Sequence, residues 1–463
     1  MDGCNPRLSQ LENRCTRCND GAPRAPQSAA LAALHRSGKC KIDVNIIQSY
    51  ALSKDLSLIF TVLAHLSRIR TLRLSVQAEA HCVDLLEFHK LAVFLRTPAP
   101  VLEELTLTSF ILMPNEDETP LRLGFEDDII WFNGASPQLH SIALNYPPSD
   151  LAGVHGQHLT SLELRSPAAE IAPRISFSTL LNLLSETKKL QTLTVDRAVT
   201  FEHGAPAHLS KVGRVSLANL SISTLTFDLP DLLRFLAAVS VPSTSETCVV
   251  LTSFGELPQV LEALSSYLLD GIQPVSMMRY SLQEEYQFQL VLWTSRSSGT
   301  EYKQYLSIVL PIDTHPTFSG LDTLPLSHLR ILHFSQSQKD HDFEFPDPGE
   351  IFRWCYTLDR LTDLALEAEF VDFFIDFAKE EIDCFPALKS LSTWLSHRDE
   401  AYQTRILDSL HGFLDQRASF TTPMKLQRLS VANLGVYEEP ISGRIHKFKG
   451  LVRSMEAGGQ ILW

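Results

Sequence analysis

Apolar residues along this chain return in a short phrase, L-x-x-L-x-L, with Ile, Val or Phe taking some of the leucine slots. It reads Ile69-Arg70-Thr71-Leu72-Arg73-Leu74, then Leu102-Glu103-Glu104-Leu105-Thr106-Leu107. It recurs at Leu139/Ile142/Leu144, Leu159/Leu162/Leu164, Leu190/Leu193/Val195 and Val212/Val215/Leu217. After a gap it resumes at Leu329/Leu332/Phe334, Leu361/Leu364/Leu366, Leu388/Leu391 (Thr393 in the third slot) and Leu426/Leu429/Val431. These ten matches, at steps of 20 to 38 residues within each block, replace the length-based expectation of about three domains with a repeat array.

Strand side chains alternate between faces, so the last two apolar slots of the phrase point inward together. A strand this short must stack beside its neighbours to persist. Parallel neighbours need crossovers, and the intervening segments supply helical patterns at 84–95, 178–184 and 231–236. The expected fold class is therefore α/β. It is a leucine-rich-repeat solenoid with a curved parallel sheet on the concave side and helices on the convex side. A doubly wound α/β domain would need longer apolar strands and nucleotide-type glycine turns.

Four regions follow. Residues 1–27 lack periodicity and read as a disordered tail. Residues 28–247 are the first block of repeats, opened by a short helix closed at Gly38 and a first strand at 41–46. Between 248 and 328 the phrase disappears, and two strand-like runs, 286–293 and 302–310, flank a Ser-Ser-Gly turn. They predict an inserted hairpin. Residues 329–463 are the second block with a C-terminal cap.

Charge narrows the partners. The 463 residues carry 40 Lys and Arg against 54 Asp and Glu, a net −14, and no basic run builds a nucleic-acid face. No stretch of about 18 apolar residues predicts a membrane span. No secretory h-region is visible, and the eight cysteines read as reduced thiols, placing the chain inside the cell, cytoplasmic or nuclear. Acidic stretches at 116–118 and 126–128 read as solvated loop. Catalytic motifs are missing: His397-Arg398-Asp399 lacks the Asn expected at 404, and no phosphate loop, HExxH or GxSxG occurs. For Cys15-Thr16-Arg17-Cys18 a zinc site would need two more ligands from Cys4, His35 or Cys40, whose spacing follows no known knuckle, so these read as incidental thiols, and His155 and His158 read as loop residues. No cofactor, metal or enzymatic role is expected.

Several segments resemble the leucine-rich-repeat F-box-type proteins abundant in mushroom-forming fungi. They are Leu34-His35-Arg36-Ser37-Gly38-Lys39-Cys40-Lys41-Ile42-Asp43-Val44, Phe132 to Leu144, Phe385-Pro386-Ala387-Leu388-Lys389-Ser390-Leu391, and a terminal helix at 449–456 before Trp463. The similarity spans about residues 28–463. It implies repeats that hold a protein substrate and an N-terminal F-box that docks the adaptor of a cullin ubiquitin ligase. Residues 1–27 contain no Leu-Pro-x-Glu-hydrophobic segment, so the cullin adaptor is an expected partner only if an F-box lies upstream.

The positions between the inward leucines face the other side of the sheet, and most are Ser, Thr or Ala. Interface energy concentrates in Trp, Tyr and Arg. The candidate partner-binding residues are therefore Arg73, Arg165, Arg214, His333, Trp394 and Arg428. Three readings stay open: a substrate receptor of F-box type, a stand-alone repeat scaffold unconnected to ubiquitin, and an unrecognised enzyme.

Overall fold

The computed structural model describes residues 7–12, 32–49, 57–79, 93–113, 130–145, 147, 151, 153–166, 174–201, 214–253, 257–264, 274–283, 287–295, 302–311, 321, 324, 326–336, 354–355, 357–367, 370–371, 374, 385–395, 400–419, 426–432, 444–457 and 460–461. They form a mixed α/β protein dominated by mostly parallel strands with helices between them. Two compact units divide the chain: Met1–Phe227 with Arg234–Ser245, and Asp228–Leu233 with Glu246–Trp463.

The first unit contains β1 (Arg7–Glu12), β2 (Ile42–Ser49), α1 (Ser57–Leu63), β3 (Ile69–Glu79), β4 (Glu104–Met113), β5 (Ser141–Asn145) and β6 (Ser161–Arg165). It continues with β7 (Ile175–Ser176), α2 (Phe177–Glu186), β8 (Thr192–Asp196), β9 (Val199–Thr200), β10 (Val215–Ser216) and β11 (Ile222–Phe227). Then α3 (Leu229–Ala238), which belongs to this unit from Arg234 on, leads to β12 (Val239–Ser240).

The main ladder runs β1-β2-β3-β4-β5-β6-β8-β11, every neighbour parallel. The middle slots of the phrase stand in one register: Leu72 opposite Leu105, then Ile142, Leu162 and Leu193. None of these exposes more than 1% of its surface. The expected first strand, 41–46, is the second in the sheet, because Arg7–Glu12 pairs alongside it. The rest of 1–27 lies outside the described residues, as do the acidic stretches at 116–118 and 126–128.

One repeat is placed differently. Val215 and Leu217 are buried, but β10 pairs with β12 in a separate two-stranded sheet. The ladder passes from β8 to β11, where Leu220, Ser223 and Leu225 fill the phrase, all buried. A serine in the middle slot hides this rung from a search for leucine.

Helix starts follow local chemistry. Ser176, two residues before Ser178, caps α2 by accepting the Thr179 amide at 3.1 Å. The Asp228 carboxylate accepts the Asp231 amide at 2.9 Å at the start of α3. Gly38 closes the opening helix at φ +53°, a conformation only glycine adopts without strain. Of the helix expected at 84–95, the described part, 93–95, is helical.

The second unit contains β13 (Glu246–Leu251), α4 (Leu257–Leu264), β14 (Val275–Gln283), β15 (Gln287–Ser295), β16 (Tyr302–Pro311) and β17 (Ile331–Gln336). After them come β18 (Asp363–Glu367), β19 (Ser390–Trp394), α5 (Glu400–Ala418), β20 (Leu426–Ala432), β21 (Val452–Ala457) and β22 (Gln460–Ile461). The strand order is β13-β16-β15-β14-β17-β18-β19-β20-β21-β22. The expected hairpin is β15–β16, antiparallel from Gln287 opposite Pro311 to Ser295 opposite Tyr302. A third antiparallel strand, β14, belongs with it and joins it to β17.

The terminal helix expected at 449–456 is instead the strand β21, parallel to β20. Val452, Met455 and Ala457 are buried while Arg453 is exposed, a strand-like alternation broken only at Ser454. Its core slots continue a row that begins with Met278 and passes through Leu332, Leu364, Leu391 and Leu429 to Met455. The next row is Tyr280, Phe334, Leu366, Thr393, Val431 and Ala457.

Thr393 is the outlier in that row, 1% exposed with its hydroxyl lacking a partner among the described residues. Such an orphan costs desolvation that a methyl of the same size would not. Thr393→Val is therefore expected to raise unfolding stability by about 1 kcal/mol. Leu364→Ala, which empties a stacked slot, should lower it by about 2–5 kcal/mol. Denaturant titration of both variants checks the opposite signs, and hydrogen exchange should show the Leu364→Ala damage first in β17 to β19.

Candidate functional site

Strand parity decides which residues reach the open side of the sheet. In the second unit one register row carries Arg279, His333, Ala365, Ser392, Ser430 and Glu456. One step further along the strands stand Ser281 opposite Ser335, and Glu367 opposite Trp394 and Ala432. Small Ala and Ser side chains between the large ones leave a low floor beside Trp394.

His333 is the centre of this patch. Its ring lies 5.2 Å from the Trp394 ring, tilted by 30°. Arg279 reaches across from β14 and donates Nε to the Ser335 hydroxyl at 3.2 Å. The Glu367 carboxylate stands 3.8 Å from His333 Nε2, beyond hydrogen-bonding distance. That nitrogen is buried with no hydrogen-bond partner among the described residues.

Burial first, and the Arg279 charge second, push the His333 pKa down to about 4. The proximity of Glu367 would pull the other way, but without a hydrogen bond it does not overcome desolvation. At neutral pH His333 is therefore an uncharged ring, and its approach to Glu367 is not an ion pair. The open side here brings an aromatic wall, a guanidinium and a carboxylate around an uncharged imidazole within one patch.

The remaining candidates fall elsewhere. In the first unit Arg73 pairs with Glu104 on the neighbouring strand at 3.0 Å. Arg165 pairs at 2.7 Å with Glu163, two residues back on its own strand. Both guanidinia are half exposed and already neutralised, which leaves surface ion pairs of little energetic weight. Arg214 is off the main ladder, and this corrects its expected place. It precedes β10 and donates Nη2 to the Leu236 carbonyl at 3.0 Å, serving the last turn of α3. Arg428 stands exposed on β20, in register with Ser390.

Arg279 was not legible as a site residue, because Val275, Met278 and Tyr280 disguise β14 as a non-repeat segment. The pattern V-x-x-M-x-Y, read with Met and Tyr allowed in leucine slots, is the signal that would have found it. Cys15-Thr16-Arg17-Cys18 and His397-Arg398-Asp399 lie outside the described residues. His155 donates Nε2–H to the Gly134 carbonyl, 2.8 Å away, in a loop. No protein-family model matches the chain, and no curated protein matches it either. Among the described residues no helix is long and apolar enough to cross a membrane.

The depressed His333 pKa ties folding to pH. Between about pH 6.5 and 4 the unfolded chain binds the proton and the folded chain does not, so stability falls as pH falls through that window. The groups facing the ring are Arg279 on β14, Glu367 on β18 and Trp394 on β19. Between pH 7.5 and 4.5 the natural chain should lose on the order of 2 kcal/mol more stability than His333→Gln. Urea titration at the two pH values measures the difference.

Proposed function

We propose that this chain is a leucine-rich-repeat solenoid acting as a non-catalytic protein-interaction module, and that the open side of the second unit captures the partner. The observation that carries this reading is the patch of Arg279, His333, Glu367 and Trp394, held in register by three consecutive rungs of the repeat and the strand before them. Trp and Arg are the residue types that dominate interface energetics, and here they flank a floor of Ala365 and Ser392.

The resemblance to F-box-type fungal proteins extends the proposal: the repeats act as the substrate-recognition part of a ubiquitin-ligase receptor. The partner is a protein. The cullin adaptor would be contacted by an F-box and not by these rungs, whose apolar slots are consumed by the core.

Panning a phage-displayed library of random peptides on the whole chain tests the reading. Selected peptides should bind the natural chain and lose at least about tenfold in affinity to Trp394→Ala, the loss expected at an interface hot spot. Peptides that bind both equally, or no selection at all, would remove the second unit's open side as the capture surface.

A further inference from the structure

A cavity of about 1130 Å³ lies at the entry end of the second unit's rungs. Arg330, Arg360, Lys389 and Arg428 line it, one cation for each of the β17, β18, β19 and β20 rungs. All four are exposed, and none has an ion-pair or side-chain hydrogen-bond partner among the described residues. Free cations held on consecutive rungs are not needed by the fold, which satisfies its backbone here through Lys389: its carbonyl accepts from both Gln427 and Arg428.

Carboxylates enter the same cavity at defined rungs. Asp359 and Asp363 belong to the β18 rung, and the Asp363 carboxylate accepts the Thr362 hydroxyl at 2.6 Å. Glu456 belongs to β21. Beyond Arg330 at the β17 rung, the net charges from β18 to β21 therefore read negative, positive, positive, negative, at about 4.8 Å per rung. The cavity is larger than most small-molecule pockets, and seven of its thirteen lining residues are charged. Those features suit a polypeptide crossing the rungs. A nucleic acid presents an unbroken row of phosphates, which Asp363 and Glu456 would repel.

We propose that this groove recognises an extended protein segment carrying two acidic residues flanked on both sides by basic ones. The acidic pair sits against Lys389 and Arg428, and the basic flanks meet Asp363 and Glu456. The inference rests on the reading of the second unit as a protein-binding module and names the chemistry of its partner. Order of charge, and not net charge, is what the groove reads.

Two short fluorescent peptides of identical composition test this, one centred on Lys-Glu-Glu-Lys and the other on Glu-Lys-Lys-Glu, each in a Gly/Ser background. Fluorescence anisotropy with the whole chain at low salt should show the first binding about tenfold tighter, as several exposed ion pairs acting together allow. The double variant Lys389→Glu/Arg428→Glu, at exposed positions, should reverse the preference, and Lys389→Gln should weaken it without reversing it. Equal binding of the two peptides, no binding of either, or tighter binding of oligo-dT would overturn the inference. The module reading is judged separately: library peptides that depend on Trp394 but ignore Lys389→Glu would leave that reading standing and sink this one alone.

Discussion

The register of parallel five-residue strands is the constraint on which everything else depends. A strand such as Ser161–Arg165 cannot persist alone, and its two inward leucines are buried only because the rungs on each side present the same slots at the same height. Once register is set, parity assigns every intervening residue to the open side. A slip of one residue would turn Leu162 and Leu164 outward and Glu163 inward, an exchange of buried apolar surface for a buried charge.

The second unit shows how an insertion is tolerated without breaking this rule. Three antiparallel strands enter the sheet in reversed spatial order, β16-β15-β14, between β13 and β17. Three alternating strands make two reversals, which return the chain to its original direction, so β13 remains parallel to β16 and β14 remains parallel to β17. The inserted strand therefore contributes Met278 and Tyr280 to the core rows as if it were a repeat. The same register places Arg279 directly opposite His333, and one of the four residues of the candidate site comes from outside the repeats as a consequence.

Two electrostatic regimes coexist on that unit. Around His333 burial governs: the ring stays neutral, and a carboxylate 3.8 Å away does not charge it. At the entry end of the rungs Lys389 and Arg428 stand exposed in the cavity, and their charges interact at solvent strength. The first regime favours specific shape and hydrogen bonding, the second favours discrimination by charge order. A partner spanning both would be held by an anchor and read by its sequence of charges.

The L-x-x-L-x-L phrase by itself determined the parallel rungs, their inward residues and the parity of the open side, because alternation within a strand is a local property. It also marked His333, Trp394 and Arg428 as outward residues. Where substitution kept the shape but changed the letter, as with Ser223, Met278, Tyr280 and Met455, the rungs were invisible to it, and Lys449–Glu456 read as helix. Tertiary structure alone decided which strands neighbour one another. Arg214 went to the end of a helix through the pairing of β10 with β12, Arg73 met Glu104 on the neighbouring strand, and Arg279 came to His333 across 54 residues of chain. Backbone pairing between distant strands depends on which core faces can be stacked together, and no single segment carries that information.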